Sequence, residues 1–339
     1  MVSIDQSIDE FQIKPKKRLG FLPDPIRRLL INPLAFIGLV LLVIFGFMAI
    51  AAPYLAPPDQ WERRYMMPRD GFSQTPKPPN AEAWATFPPN WKLHPMGTTQ
   101  GQYDLYYGLV WGARSAWGIA IIVIALSLLI GLIMGIPAGY FGGKWDNIIM
   151  RFTDIMLIFP FVVWAITLFV IFSHPVEVFG QSIRMDRVVA VIVAIVTFNW
   201  VIYARLIRGD ILSVKSKDFI VAARALGGSN WRIVTRHVLP NAIYPLLIYA
   251  SLDVGTIVLN IAFLSFLGLG PPAGFADWGQ LISFSRQYVI GSLGQDPFAF
   301  WYVIAVPGLA ITLFVLAWNL VGDAVRDVMD PRLRGSRAK

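Results

Sequence analysis

The residues of this chain that could carry chemistry are few, and most stand alone. Asp253 lies about 13 residues past Pro240 in an apolar run. At 1.5 Å per helical residue the carboxylate sits ~19 Å along a helix, near the middle of a bilayer. A carboxylate there costs several kcal/mol unless it is paired, protonated or wet. Two readings stand. Asp253, with Asn260, lines a pathway for cationic cargo, or Asp253 is a structural group hydrogen-bonded to Asn199 or Asn319 of a neighbouring helix. His94 and His237 read as isolated, with no second ligand at helical spacing, so no metal is expected at either. The chain has no cysteine, which excludes thiolate catalysis, disulfides and thiolate metal sites. The nearest approach to a phosphate loop, Gly142-Gly143-Lys144-Trp145, lacks the spacing and the hydroxyl. No catalytic residue is assigned, no enzyme is expected, and this chain is expected to bind no cofactor.

A second polar group is a stretch rather than a residue. Phe219, Ala222, Ala223 and Leu226 recur at three- and four-residue intervals after Asp218, with Arg224 beside them. That pattern predicts a short helix with one apolar stripe. Gly227-Gly228 can end it through a left-handed residue, and Ser229 can cap a second short helix through Asn230, Trp231 and Arg232. Pro240 then opens the next apolar run. A short helix with a small-residue face suits a groove on another protein, but the pattern alone also fits a helix resting on lipid headgroups.

These groups are set in a chain that is 56% hydrophobic and only 15% charged. That is too apolar for a soluble domain of 339 residues. Six stretches approach the ~20 apolar residues a bilayer needs, at about 33–54, 116–140, 148–172, 188–207, 242–269 and 298–320. Asn32 can cap the first, with Pro33 at the first helical position. The preceding basic segment is long, so the first span reads as an uncleaved anchor rather than a signal peptide. With the N-terminus inside, 20 of the 29 basic residues fall on the inner side. The net charge of +8 is thus a topology signal, and nucleic acid is not expected as a partner.

The expected fold is an all-α polytopic membrane protein of six transmembrane helices, with both termini cytoplasmic. Residues 1–31 form a basic cytoplasmic segment and 32–55 the first span. Residues 56–114 form a long extracytoplasmic loop or cap, and 115–322 a core of five spans with a cytoplasmic loop at 208–240. Residues 323–339 form a cytoplasmic tail. Paired prolines and the aromatics Trp61, Tyr65, Phe72, Trp84, Phe87 and Trp91 in the long loop favour a small ordered cap over a linker. In the second span Gly131, Gly135 and Gly139 recur every four residues and let a neighbouring backbone approach closely. Static packing is the simpler expectation for that ridge, and a moving face the alternative.

The string Ala222-Ala223-x₃-Gly227-x₁₁-Leu239-Pro240 resembles the "EAA loop" of ABC-importer permeases. Further strings extend the likeness from about residue 25 to 335. They are Met96-Gly97-Thr98, Tyr107 to Ser115, Ala138 to Gly143, Asp146 to Pro160, Leu264 to Gly270, Trp278-Gly279, Asn319 to Asp323 and Arg326 to Pro331. Together they resemble the second permease subunit of the dipeptide/oligopeptide/nickel importers. The resemblance implies a type I ABC importer permease fold and a place in the cytoplasmic (inner) membrane. It implies a second homologous permease, two ATP-binding subunits that use ATP and Mg, and an extracytoplasmic substrate-binding protein. It implies that Asp218, Phe219, Ala222, Ala223, Arg224, Leu226 and Gly227 form an ATPase-docking or coupling helix. Peptides are the implied cargo; nickel chelates, glutathione and oligosaccharides are carried by similar permeases. Val221 stands where the loop's Glu gives it its name, and Thr99 to Asp104 replace the family's Gly-Arg-Asp string. An ion-coupled secondary transporter using Asp253 is the alternative of a different class.

Overall fold

Asn32 opens the first helix, α1 (Pro33–Ile50), its side-chain oxygen accepting the Leu34 N–H at 3.0 Å with Pro33 in the first turn. The computed structural model describes residues 32–178, 181–183, 185–289 and 298–329. The basic segment expected over 1–31 and the tail beyond Met329 lie outside the described residues. Among the described residues, further helices include α2 (Leu105–Phe141), α3 (Gly143–Ile158), α4 (Phe161–Ser173), α5 (Arg187–Lys215), α6 (Asp218–Ala225), α7 (Asn230–Ile233), α8 (Tyr244–Phe266) and α9 (Trp278–Phe284). The last long helix is α10 (Tyr302–Met329). A two-stranded antiparallel hairpin, Val176–Val178 with Gln181–Ile183, joins α4 to α5 and adds a small β element to the expected all-α fold.

Five helices, α1, α2, α5, α8 and α10, are long and apolar enough to cross a bilayer. The span expected over 148–172 is not one rod. It is the pair α3 and α4, bent by 92°. The cause is Pro160, which has no N–H to give and drives Phe159 to extended backbone (φ −80, ψ 133).

The second span also differs from its sequence boundary. It begins at Leu105 rather than near 116, because Asp104 accepts the Tyr107 N–H at 2.6 Å and caps the helix. The loop expected over 56–114 therefore ends at Asp104. At 37 residues α2 is ~55 Å long. Likewise α10 continues past 322 to Met329. Pro240 does not open α8. It sits in a one-turn helix, Leu239–Ala242, that follows a π-helical turn over Val234–Val238, and Pro245 occupies the first turn of α8.

Packing follows from small residues at crossings. A Cβ on Gly131 or Gly135 would overlap Tyr203, Ala204 or Ile207, and one on Gly139 would lie 3.0 Å from the Arg208 carbonyl and from Ile211. All five neighbours belong to α5, so α2 and α5 run backbone against backbone. Lys215 Nζ donates to the Gly139 carbonyl at 2.9 Å and closes the far end of this seam. Two further ties join α3 to α5: Arg205 pairs with Asp154, and Arg208 Nη2 donates to Asp146 at 2.6 Å.

Candidate functional site

Three places hold the candidate residues: the loop beyond α5, the interior of α8, and the cap between α1 and α2. Contacts place the first and last at opposite ends of α2. Tyr106 and Trp111, near its start, touch the carbonyls of Leu55 and Ala56. Tyr140, at its finish, donates to Asn230 Oδ1 of α7 at 3.0 Å.

In the loop, Gly227 takes φ +77 after α6, a backbone region that L side chains rarely adopt. Ser229 Oγ accepts the Arg232 N–H at 3.4 Å and caps α7. The apolar stripe divides into two faces. Ile220 is fully buried against Tyr203, Ile207 and Ile211, and Ala223 is half-buried against the same cluster. Phe219, Val221, Ala222, Leu226 and Trp231 point away, with Leu226 88% and Trp231 78% exposed. Ala223 therefore faces this chain's own core and not an outer groove. Asp218, Arg224 and Gly227 are exposed around the outer face, and the Arg224 guanidinium lies 5.9 Å from the Tyr140 ring.

Asp253 lies in α8 and is buried, 4% exposed. Its Oδ2 accepts from Asn199 Nδ2 at 2.8 Å and from the Tyr203 hydroxyl at 3.0 Å, both on α5. Of the two partners weighed from sequence, Asn199 is the one in place; Tyr203 was missed, though it lies four residues on and so shares a helix face with Asn199. Asn260 is half-buried two turns further along α8. The two groups expected together are thus on one helix but make no shared contact among the described residues.

The cap is built from aromatics and paired charges. Tyr65 stacks on Phe275 and meets Trp111 edge-on, and Trp91 meets Tyr107 edge-on. Trp111, fully buried, donates to the Ala56 carbonyl at 2.8 Å, and Tyr107 donates to the Arg64 carbonyl at 2.7 Å. Arg69 lies between the rings of Phe72 and Tyr103, at 4.5 and 4.8 Å, and Tyr103 stacks in turn on Phe284 of α9. His94 is not isolated, as its sequence context suggested. Its Nδ1 lies 2.7 Å from Asp104 and its Nε2 3.0 Å from Asp70, which also pairs with Lys77. No single point is ringed by these groups, since the two carboxylates sit on opposite nitrogens; among the described residues no group of three or more candidate ligands could hold a metal. Spacing gave no sign of this cluster, because a chain reversal brings 70, 94 and 104 together.

Comparison with known proteins gives these surfaces a context. Residues 127–335 match the model of the binding-protein-dependent transport system inner membrane component family. The chain belongs to this family. Residues 21–79 also match the N-terminal transmembrane domain of oligopeptide transport permease C. The chain is 34% identical to the dipeptide transport system permease protein DppC of Alkalihalophilus pseudofirmus, over 89% of this chain and 87% of that one. It is 31% identical to the oligopeptide transport system permease protein OppC of Bacillus subtilis, over 94% of this chain and 92% of that one. A solved structure of the MetNI methionine ABC transporter, in an inward-facing conformation, matches with a TM-score of 0.50 at 20% identity, covering 66% of this chain and 97% of that one. The fold is that of a type I ABC importer permease. This permease is a multi-pass membrane protein and a non-catalytic subunit. The family sets aside the reading as an ion-coupled secondary transporter.

Proposed function

We propose that this chain is one permease subunit of an ATP-driven importer of peptides. A second, homologous permease completes the pore, two ATP-binding subunits dock on the loop at 208–240, and an extracytoplasmic binding protein delivers cargo to the cap. Both termini and the loop face the cytoplasm. ATP and Mg belong to the ATPases, and this chain holds no cofactor. The similarity to dipeptide and oligopeptide permeases over most of the chain supports the cargo class.

The observation that carries the reading is the outer face of α6 and α7. Phe219, Val221, Leu226 and Trp231 are large, apolar and exposed, on a segment rich in basic residues and flanked by Gly227. Apolar surface left bare beside charge marks a protein contact. Behind it, Ile220 and Ala223 seat the helix on the α5 core, and Tyr140 ties α7 to the end of α2. When the ATPases close, a push on α6 is delivered to the α2–α5 seam as one body. Such a two-state element, biased by ATP on one side and cargo on the other, is what alternating access requires. Asp253 holds α8 to that body; we assign it to the coupling framework and not to cargo contact.

The test is uptake of a radiolabelled oligopeptide by proteoliposomes containing the full complex and internal ATP. Leu226→Asp with Trp231→Asp is expected to abolish uptake and ATPase co-purification while leaving the permease pair assembled. Retained co-purification would remove the loop as the docking site. Single cysteines at Ser73 and Ser229 test the orientation: in sealed right-side-out vesicles only Ser73 is expected to react with an impermeant thiol reagent.

A further inference from the structure

His94 occupies an unusual place. Its backbone is left-handed (φ 54, ψ 66), which a residue with a side chain adopts only when its surroundings over-determine it. The side chain is 13% exposed and lies between two carboxylates of different character. Asp104 is fully buried and caps α2; Asp70 is 54% exposed and paired with Lys77. The strap around Lys77 is itself tied onward. The Lys77 carbonyl accepts from Tyr302, the first residue of α10, at 2.9 Å, and the Lys77 N–H donates to Thr98 Oγ1 at 2.8 Å. One imidazole thus joins the N-terminus of α2, the cap strap and, through the strap, the start of α10.

We propose that His94 is a positioning residue whose proton clasps the cap onto the outer ends of α2 and α10, and that loss of this proton releases the cap.

The chemistry follows from donor counting. A neutral imidazole has one N–H and can donate to only one carboxylate; the imidazolium has two and can satisfy both. Asp104, buried, cannot turn to water for a substitute, and its other oxygen is committed to the Tyr107 N–H. Deprotonation therefore leaves the Asp70 contact without a donor and weakens the strap. The charged groups acting on the imidazole are Asp70 from the strap, itself paired with Lys77, and Asp104 from the start of α2, which Tyr106 and Tyr107 flank; Lys92, two residues before, is engaged with Asp59. The Asp104 hydrogen bond holds the His94 imidazolium above its ordinary value of 6.5, against the opposing effect of burial. Folding raises this value, so the stabilisation is fully present below 6.5 and disappears as pH rises through the raised value. Asp70 runs the other way. The Lys77 hydrogen bond lowers it below 3.8, so its contribution is lost only in stronger acid. Burial raises the Asp104 carboxyl above 3.8, so Asp104 and not Asp70 sets the acid limit. The clasp is closed between the raised Asp104 and His94 values and opens on the alkaline side.

The cap faces the exterior only if the proposed topology holds, but the clasp does not depend on it, and both faces of a purified chain see the same buffer. The experiment is a pH titration of the full chain in nanodiscs with ¹⁵N-labelled histidine, its three histidines assigned by single substitutions. In parallel, amide hydrogen exchange of residues 69–104 is followed, corrected for the intrinsic pH dependence. The expected result is a His94 midpoint above 6.5 that moves down in both Asp104→Asn and Asp70→Asn. Exchange protection in the cap is expected to fall through that midpoint, by about tenfold for each unit by which the midpoint exceeds the ordinary value. In His94→Gln the pH step is expected to vanish. A wild-type midpoint at or below 6.5 overturns the proposal, even if the Asp104 variant fails to fold. Cap protection that stays flat through the midpoint also overturns it.

Discussion

The two ends of α2 are finished in opposite ways. At the cap end, a set of large aromatics is buried with hydrogen-bonded polar tips and paired charges: Trp111 is fully buried on the Ala56 carbonyl, and His94 lies between two carboxylates, while Phe72 and Phe87 stay bare at the rim. At the loop end, the large apolar groups are bare, with Trp231 78% and Leu226 88% exposed. Both regions are connecting segments in a membrane protein, and both are rich in aromatic or basic residues. The difference teaches that the cap holds together through a buried aromatic core of its own, with bare rings at its rim, whereas the loop turns most of its large apolar groups outward.

Matched tryptophans give the sharpest way to break the comparison. Trp111→Ala is expected to cost about 3–5 kcal/mol, because a buried indole and its hydrogen bond are lost together. Trp231→Ala is expected to change stability by less than about 0.5 kcal/mol, yet to weaken ATPase binding. Thermal unfolding in detergent and co-purification measure the two; equal melting losses would show that the loop is as self-contained as the cap. The seam between the poles comes next. Gly135→Val places side-chain atoms against Ile207 and the Ala204 carbonyl, and is expected to cost about 1–3 kcal/mol by overpacking. An unchanged melting temperature would mean that α2 and α5 are free to separate.

The remaining predictions are smaller. Asp253→Leu leaves Asn199 and Tyr203 without an acceptor and is expected to lower stability by about 1–3 kcal/mol, with Asp253→Asn largely restoring it. If both variants melt like wild type while peptide uptake falls, Asp253 contacts cargo after all. Phe72→Ala removes one face of the Arg69 sandwich at an exposed edge of the cap, a change of about 0.5–1 kcal/mol. A larger loss there would show that the cap's rim, and not its buried aromatics, holds it together.

Most of this architecture was legible in the sequence, and the exceptions have physical causes. Apolar run length located the five long helices α1, α2, α5, α8 and α10, since a bilayer sets one length for them. It could not reveal the 92° bend between α3 and α4, because hydropathy ignores the backbone restriction that Pro160 imposes. The start of α2 was lost because residues 105–115 carry Gly, Arg and Ser amid their aromatics, although Asp104 is a clear capping residue. In the loop, helix spacing located α6, but a two- to three-turn helix has apolar residues on both faces. Only the fold tells Ala223, turned inward, from Ala222, turned out. The His94 cluster was invisible for a simpler reason: its members meet through tertiary contact and share no period.

The length of α2 has a consequence for the lipid around it. A helix of ~55 Å exceeds the ~30 Å hydrocarbon core by far. A free helix of this length would tilt or slide to suit the bilayer it entered. This one is anchored at Asp104 above and at Asn230 below, and is sealed along its side to α5. Its first turns lie in the cap and the rest is held to α5, so its tilt is set by its neighbours and not by the bilayer alone. A change of acyl-chain length is therefore met by the α2–α5 body as a whole and not by α2 sliding alone.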